Sequence, residues 1–254
     1  MNLHTQSFLS RARKWVCFLA VAALGMSICG GKTPPRESTV ADGSAETKYT
    51  SPSLVPIQDT PGLPRVLLIG DSISMGYTIP AREALAGKAN VHRPPTNCGS
   101  TRSGLQNLDS WIGSGKWDVI HFNWGMHDLK YLDSGKQNVP VEQYEKNLRR
   151  LVSRLKETGA VLIFATTTPL VRETQGKFRR DAQAEIPYNE AAKRVMQENG
   201  VRVDDLHAFA LPKIATIQAA DGVHFSKDGS VILARQVAAS IEEGLAALAE
   251  AGAK

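Results

Sequence analysis

The chain has 254 residues, 22% of them charged, and a formal net charge of +5. Residues 1–30 hold three basic and no acidic side chains, so the remainder carries only +2, too little basic bias for a nucleic-acid binder. Of the three cysteines, Cys17 and Cys29 fall in the first thirty residues and only Cys98 in the body of the chain, which excludes an internal disulfide framework there.

Arg11, Arg13 and Lys14 precede an apolar stretch running from Trp15 to Gly25, followed by small residues. This is the three-part pattern of a secretory signal, and its apolar core falls short of the about 20 residues of a membrane span. Export to the periplasm, the cell envelope or the medium is therefore expected. Ala23-Leu24-Gly25 fits a small-x-small cleavage site. Met26-Ser27-Ile28-Cys29-Gly30 keeps open a lipid on Cys29, and an uncleaved signal is the other route to membrane attachment. Residues 31–62, rich in Pro, Ser, Thr, Gly and Glu, read as a disordered tether, and residues 63–254 as one domain.

Within that domain apolar strands and amphipathic helices alternate. Strands are expected near 65–70, 89–92, 117–124, 160–168 and 201–204, and helices near 79–87, 102–113, 141–158, 184–199 and 229–250. The alternation predicts an α/β fold, a parallel sheet covered on both faces by helices joined through right-handed crossovers.

Two short motifs carry the chemistry. Gly70-Asp71-Ser72 closes the first strand, and Asp221-Gly222-Val223-His224 precedes the last helix. A serine hydroxyl is a poor nucleophile at neutral pH; it needs a histidine to take its proton and a carboxylate to orient that histidine. Ser72, His224 and Asp221 supply these types, with Gly222 freeing the short loop and Ser226 placed to cap the following helix. Ser72 and Ser74 each lack one glycine of the G-x-S-x-G elbow, which disfavours the α/β-hydrolase fold. Asp204-Asp205-Leu206-His207 repeats the D-x-x-H spacing but lacks the glycine. His121, His127 and Asp128 do not have zinc-ligand spacing, and serine chemistry needs neither metal nor cofactor. Cys98 reads as a packed spacer between Asn97 and Gly99.

In these motifs and their order the chain resembles the SGNH, or GDSL, hydrolase family. Its blocks correspond to Gly70-Asp71-Ser72, to the N-x-G turn Asn97-Cys98-Gly99, in part to Gly125-Met126-His127-Asp128, and to Asp221–His224 with Phe225, Ser226 and Gly229 following. The resemblance spans roughly residues 64–245 and implies a single three-layer domain with a five-stranded parallel sheet in the flavodoxin-like order 2-1-3-4-5. It also implies an oxyanion hole from the backbone N–H groups of Ser72 and Gly99 and a third-block asparagine. That asparagine is His127 here, so either the imidazole donates in its place or Asn123 or a water does, or the ring merely packs.

For substrate contact the candidates are Arg102 after Gly99, Asn123, Trp124 as a stacking surface or a core aromatic, and Arg172 in the insertion 169–187. That insertion also carries Lys177, Arg179 and Arg180 among acidic residues, and reads either as a grip for an anionic or sugar substrate or as a solvated loop. No apolar insertion offers an acyl channel. The expected activity is hydrolysis of short acyl esters, acetyl above all, as a small molecule or on a glycan. The alternatives are acyl transfer to a glycan and a non-catalytic carbohydrate-binding protein.

Overall fold

The apolar runs become five parallel strands in the computed structural model, which describes residues 51–252. They are β1 (Arg65–Ile69), β2 (Asn90–His92), β3 (Val119–Phe122), β4 (Val161–Ala165) and β5 (Arg202–Asp204), in the order β2-β1-β3-β4-β5. The α/β/α architecture and the strand order are those expected. Alternate residues of each strand face opposite ways, so β1 sends Leu67 and Ile69 to one core and Val66 and Leu68 to the other. The first core takes in α2 (Thr101–Ile112), α3 (Val141–Lys156) and α4 (Glu185–Asn199). The second takes in α1 (Ser72–Ala84), α5 (Leu206–Ala210), α6 (Ile214–Ile217) and α7 (Lys227–Gly252). On α3 the buried face is Tyr144, Leu148, Leu151, Val152 and Leu155, the stripe that its period predicts.

Three departures from expectation have physical causes. Helix α1 starts at Ser72 and not near 79, because Asp71 caps it by accepting from the Ile73 N–H at 2.9 Å. Gly76 and Pro80 depress its local helix propensity, and packing overrides them: a side chain at Gly76 would crowd Ser230 Oγ of α7 at 3.2 Å. Helices α5 and α6 are too short to register as a period.

The signal segment 1–30 and the start of the expected tether lie outside the described residues. The end of the tether, residues 51–62, is held on the domain. Ser53 and Leu54 are buried, the Thr60 N–H donates to Asn90 Oδ1 at 2.8 Å, and His92 Nε2 meets Asp59 at 2.5 Å.

Phe164 on β4 is fully buried and stacks edge-on against Phe122 at 5.5 Å between ring centres. Phe164→Ala is expected to lower unfolding free energy by about 3–5 kcal/mol in urea titration. Leu211→Ala, at an exposed position, is expected to stay within about 0.5 kcal/mol. Equal effects at the two positions would contradict this division of core and surface.

Candidate active site

The first catalytic candidate stands where β1 turns into α1. A Cβ at Gly70 would lie 2.6 Å from Ser74 Cβ, so only glycine lets the first turn of α1 close this tightly over the strand end. As the first residue of α1, Ser72 presents one of the leading N–H groups that a helix leaves unpaired. Arg93 was not among the candidates, yet its buried guanidinium underlies this turn. It donates from Nη2 to Gly70 O (3.1 Å) and Thr96 O (3.2 Å), and from Nη1 to Thr78 Oγ1 (2.9 Å) and Ser74 Oγ (3.2 Å). It thereby ties the serine turn to the Asn97–Gly99 turn, which the Cys98 N–H joins independently by donating to Gly70 O at 3.2 Å.

The structure brings Ser72, His224 and Asp221 together in one line of hydrogen bonds. Ser72 Oγ lies 2.8 Å from His224 Nε2, and His224 Nδ1 lies 2.5 Å from Asp221 Oδ2. An ionised Asp221 can only accept, so Nδ1 carries the proton and Nε2 is left to receive the serine's. The loop is set by its own backbone: Gly222 has φ +76°, and Asp221 Oδ1 accepts from the N–H groups of Val223 and His224, each at 2.9 Å. Burial raises the Asp221 carboxyl, but the His224 ring and these two N–H donors outweigh it and bring it down to about 2. Ser226 Oγ caps α7 by accepting from the Gly229 N–H at 3.0 Å, as its position implied. The side chains of His224 and Asp221 are 46% and 50% exposed, so the line opens on solvent.

Two further elements converge on the serine. Gly99 has φ +61°, the left-handed turn that favours glycine, and its N–H donates to Asn97 Oδ1 at 2.9 Å. Gly125, at φ +152°, opens the turn to His127; a Cβ there would strike Thr167 Oγ1 at 2.1 Å. Among the described residues the His127 ring has no hydrogen-bond partner. Burial holds it below the usual histidine range, as do the charges of Lys130, Arg180 and His224, against the pull of Asp71. It is thus mainly neutral near pH 7, with one ring N–H to give. Its neighbour Asp128 is fully buried and takes both the N–H (2.9 Å) and the hydroxyl (2.5 Å) of Thr101 at the start of α2. This strut locks the glycine turn and the histidine turn together.

Other candidates are placed differently. Trp124 is a core residue, 1% exposed and packed on Phe122, and so is not a stacking surface for substrate. The Asn123 amide donates one of its two N–H groups to Ala165 O at 2.8 Å, which ties β3 to β4. Arg172 braces the histidine loop, donating from Nη2 to Ala220 O at 2.5 Å. Arg102 is exposed on the first turn of α2, beside the site. Cys98 is fully buried, and burial pushes its thiol up to about 11 despite nearby Arg93, so it is a packed spacer. His121 pairs with Asp204 at 3.0 Å inside the core, and His207 with Glu185 at 3.0 Å, which removes the second D-x-x-H from the site. Arg93 and the Asp128–Thr101 contact had no signal in the sequence, since both partners are brought in by the fold.

The family model described as GDSL-like Lipase/Acylhydrolase family matches residues 68–232. A GDSL esterase/lipase of Arabidopsis thaliana is 31% identical over 129 residues, which are 45% of this chain and 54% of that protein. A second from the same plant is 30% identical, over 58% of this chain and 66% of that one. The chain thus spans between about half and two thirds of these relatives. Among solved structures, an acetyl xylan esterase, AlAXEase, superposes with a TM-score of 0.60 at 17% identity, covering 70% of this chain and 99% of that one. A lipase/acylhydrolase from Enterococcus faecalis gives 0.59 at 21%, covering 71% and 96%. These likenesses show the fold.

Burial pushes the Asp128 carboxyl up to about 7, against the hydrogen bonds from Thr101. The folded protein therefore keeps a proton there over a window, from about 4 to 7, in which an unfolded aspartate has lost it, and this contribution to stability falls as pH rises through that window. Wild type is expected to be more stable relative to Asp128→Asn at pH 5 than at pH 8 in urea titration. A difference independent of pH would contradict the raised value.

Proposed function

The chain belongs to the GDSL-like lipase/acylhydrolase family, and from that premise we propose that it is an exported serine esterase that removes short acyl groups, chiefly acetyl, from a carbohydrate. The observation that carries the reading is the unbroken line Asp221–His224–Ser72. In the proposed cycle His224 Nε2 takes the proton of Ser72 Oγ as that oxygen attacks the ester carbonyl. The oxyanion of the tetrahedral intermediate is received by the N–H groups of Ser72 and Gly99 and by the ring N–H of His127, with the Gly99 N–H shared between Asn97 Oδ1 and the oxyanion. His224 then gives its proton to the leaving sugar hydroxyl, an acyl-serine remains, and a water deprotonated by His224 releases the acid.

The open setting of the catalytic line supports an ester carried on a large alcohol. The catalytic line itself is half exposed and so can meet a polymer. A shallow groove of about 380 Å³ along Lys130–Ser134 and Phe178 offers a bed for flanking sugar units. The acetyl xylan esterase among the structural neighbours agrees with this choice of substrate. Export rests on the basic-then-apolar pattern of residues 1–30.

Acetate release from p-nitrophenyl acetate and from acetylated xylan and other acetylated glycans tests the reading. Ser72→Ala at matched folding is expected to abolish turnover. Release in both proteins, or in neither, would remove the esterase assignment in favour of glycan binding; product that forms only with an added sugar acceptor would make it a transferase. His127→Ala is expected to lower kcat about 100- to 1000-fold, as loss of one oxyanion donor does, and His127→Asn to recover part of that loss. An unchanged kcat in His127→Ala would remove the imidazole from the hole.

A further inference from the structure

The peptide units on both sides of His127 are held by side chains from elsewhere. On the C-terminal side the His127 carbonyl accepts from Asn138 Nδ2 at 2.8 Å. On the N-terminal side the Met126 carbonyl accepts from Arg180 Nε at 3.0 Å, and the same guanidinium reaches Phe178 O from Nη1 at 2.8 Å. Arg180 is 7% exposed and comes from the insertion after β4. That insertion is fixed in turn: Thr174 and Arg180 pair as a short antiparallel bridge, the Tyr131 N–H donates to Arg179 O at 2.8 Å, and the Arg179 guanidinium lies 3.8 Å over the Tyr131 ring.

We infer that Arg180 is a positioning residue for the oxyanion hole, holding the Gly125–His127 turn by its bond to the Met126 carbonyl so that the His127 imidazole can stand where the family's asparagine amide would. The inference rests on the esterase reading for its catalytic meaning. An asparagine amide is always neutral and always a donor, whereas an imidazole brings a protonation equilibrium and a ring that must be aimed. Arg180 answers both needs. Its hydrogen bond fixes the backbone from which the ring projects, and its charge, buried close by, disfavours a second cation at His127. The groups that act on His127 are Asp71 at the cap of α1, Lys130 on the same loop, Arg180 from the insertion and His224 from the loop before α7. A protonated His127 would oppose proton uptake by His224, so the neutral ring is the working form. A plain counter-charge to Asp71 and Asp221, which also act on Arg180, would not require the bond to the Met126 carbonyl.

The test uses Arg180→Met, Arg180→Lys, His127→Ala and the Arg180→Met/His127→Ala double variant. In Arg180→Met, kcat on p-nitrophenyl acetate is expected to fall about 10- to 100-fold with KM little changed, as displacement of a positioned group does. The acid limb of its pH–rate profile should move to higher pH, because His127 holds its proton longer without the cation and its charge then opposes the base. Arg180→Lys keeps the charge, and its acid limb should stay in place. The double variant should be no slower than His127→Ala alone. Independently of activity, NMR titration of the His127 ring should show a higher midpoint in Arg180→Met than in wild type. Additive losses in the double variant, or a His127 midpoint unmoved by Arg180→Met, would overturn the inference while leaving the Ser72 assay to judge the esterase reading. Should Arg180→Met fail to fold, Arg180→Gln takes its place in the same titration and cycle.

Discussion

The site is organised around the carbonyl of Gly70. It marks the point at which β1 stops, α1 starts and the second-strand loop comes alongside, and it is claimed twice, by Arg93 Nη2 and by the Cys98 N–H. The lack of a side chain at Gly70 lets Ser74 close over the strand end, which points Ser72 outward at the head of α1. The same two bonds bring the Asn97–Gly99 turn to that head. One backbone oxygen thereby sets the distance between the proposed nucleophile and the backbone donor expected to receive the oxyanion. A buried guanidinium loses much hydration, and the arrangement holds because the carbonyl and hydroxyl acceptors around Arg93 replace it.

What the sequence makes legible is what is local. The strand before Ser72, the Asp221–His224 loop with its glycine, the cap by Ser226 and the face of α3 each follow from a few neighbouring residues, and the structure has them where the pattern puts them. The strand order came with the family resemblance, since alternation of strands and helices is compatible with several orders. The start of α1 was not legible, because Gly76 and Pro80 argue locally against a helix that packing against α7 sustains. Trp124 illustrates the opposite ambiguity: an aromatic at a strand end fits a binding surface or a core equally well, and only its burial beside Phe122 decides.

The struts of the site were illegible for a different reason. Arg93, Asp128 and Arg180 are charged residues in loops or helix approaches, where a sequence reading expects solvent. Each is buried, and each finds its partners far along the chain: Arg93 at Gly70, Asp128 at Thr101, Arg180 at Met126. Burial is tolerable because hydrogen bonds replace hydration, and the reward is rigidity in three turns that have no regular secondary structure to hold them. Pre-organisation of this kind lets donors act on a developing charge without first having to move.

The departure at position 127 fits this electrostatic frame. Ser72 lies within a ring of ionisable groups, with Asp71 and Asp221 negative, Arg93 and Arg180 positive, and two histidines between them. An imidazole in such a place would be a liability if it ionised, since its positive charge would oppose proton uptake by His224, the proposed base. Desolvation and the neighbouring cations both act against its ionisation, and only Asp71 acts for it. Asp71 is also the cap of α1, so the carboxylate that starts the nucleophile's helix is the same one that draws a proton toward His127. The helix start and the His127 turn are therefore coupled through one buried charge, and the balance among its neighbours allows histidine to occupy a position where the family pattern has an amide.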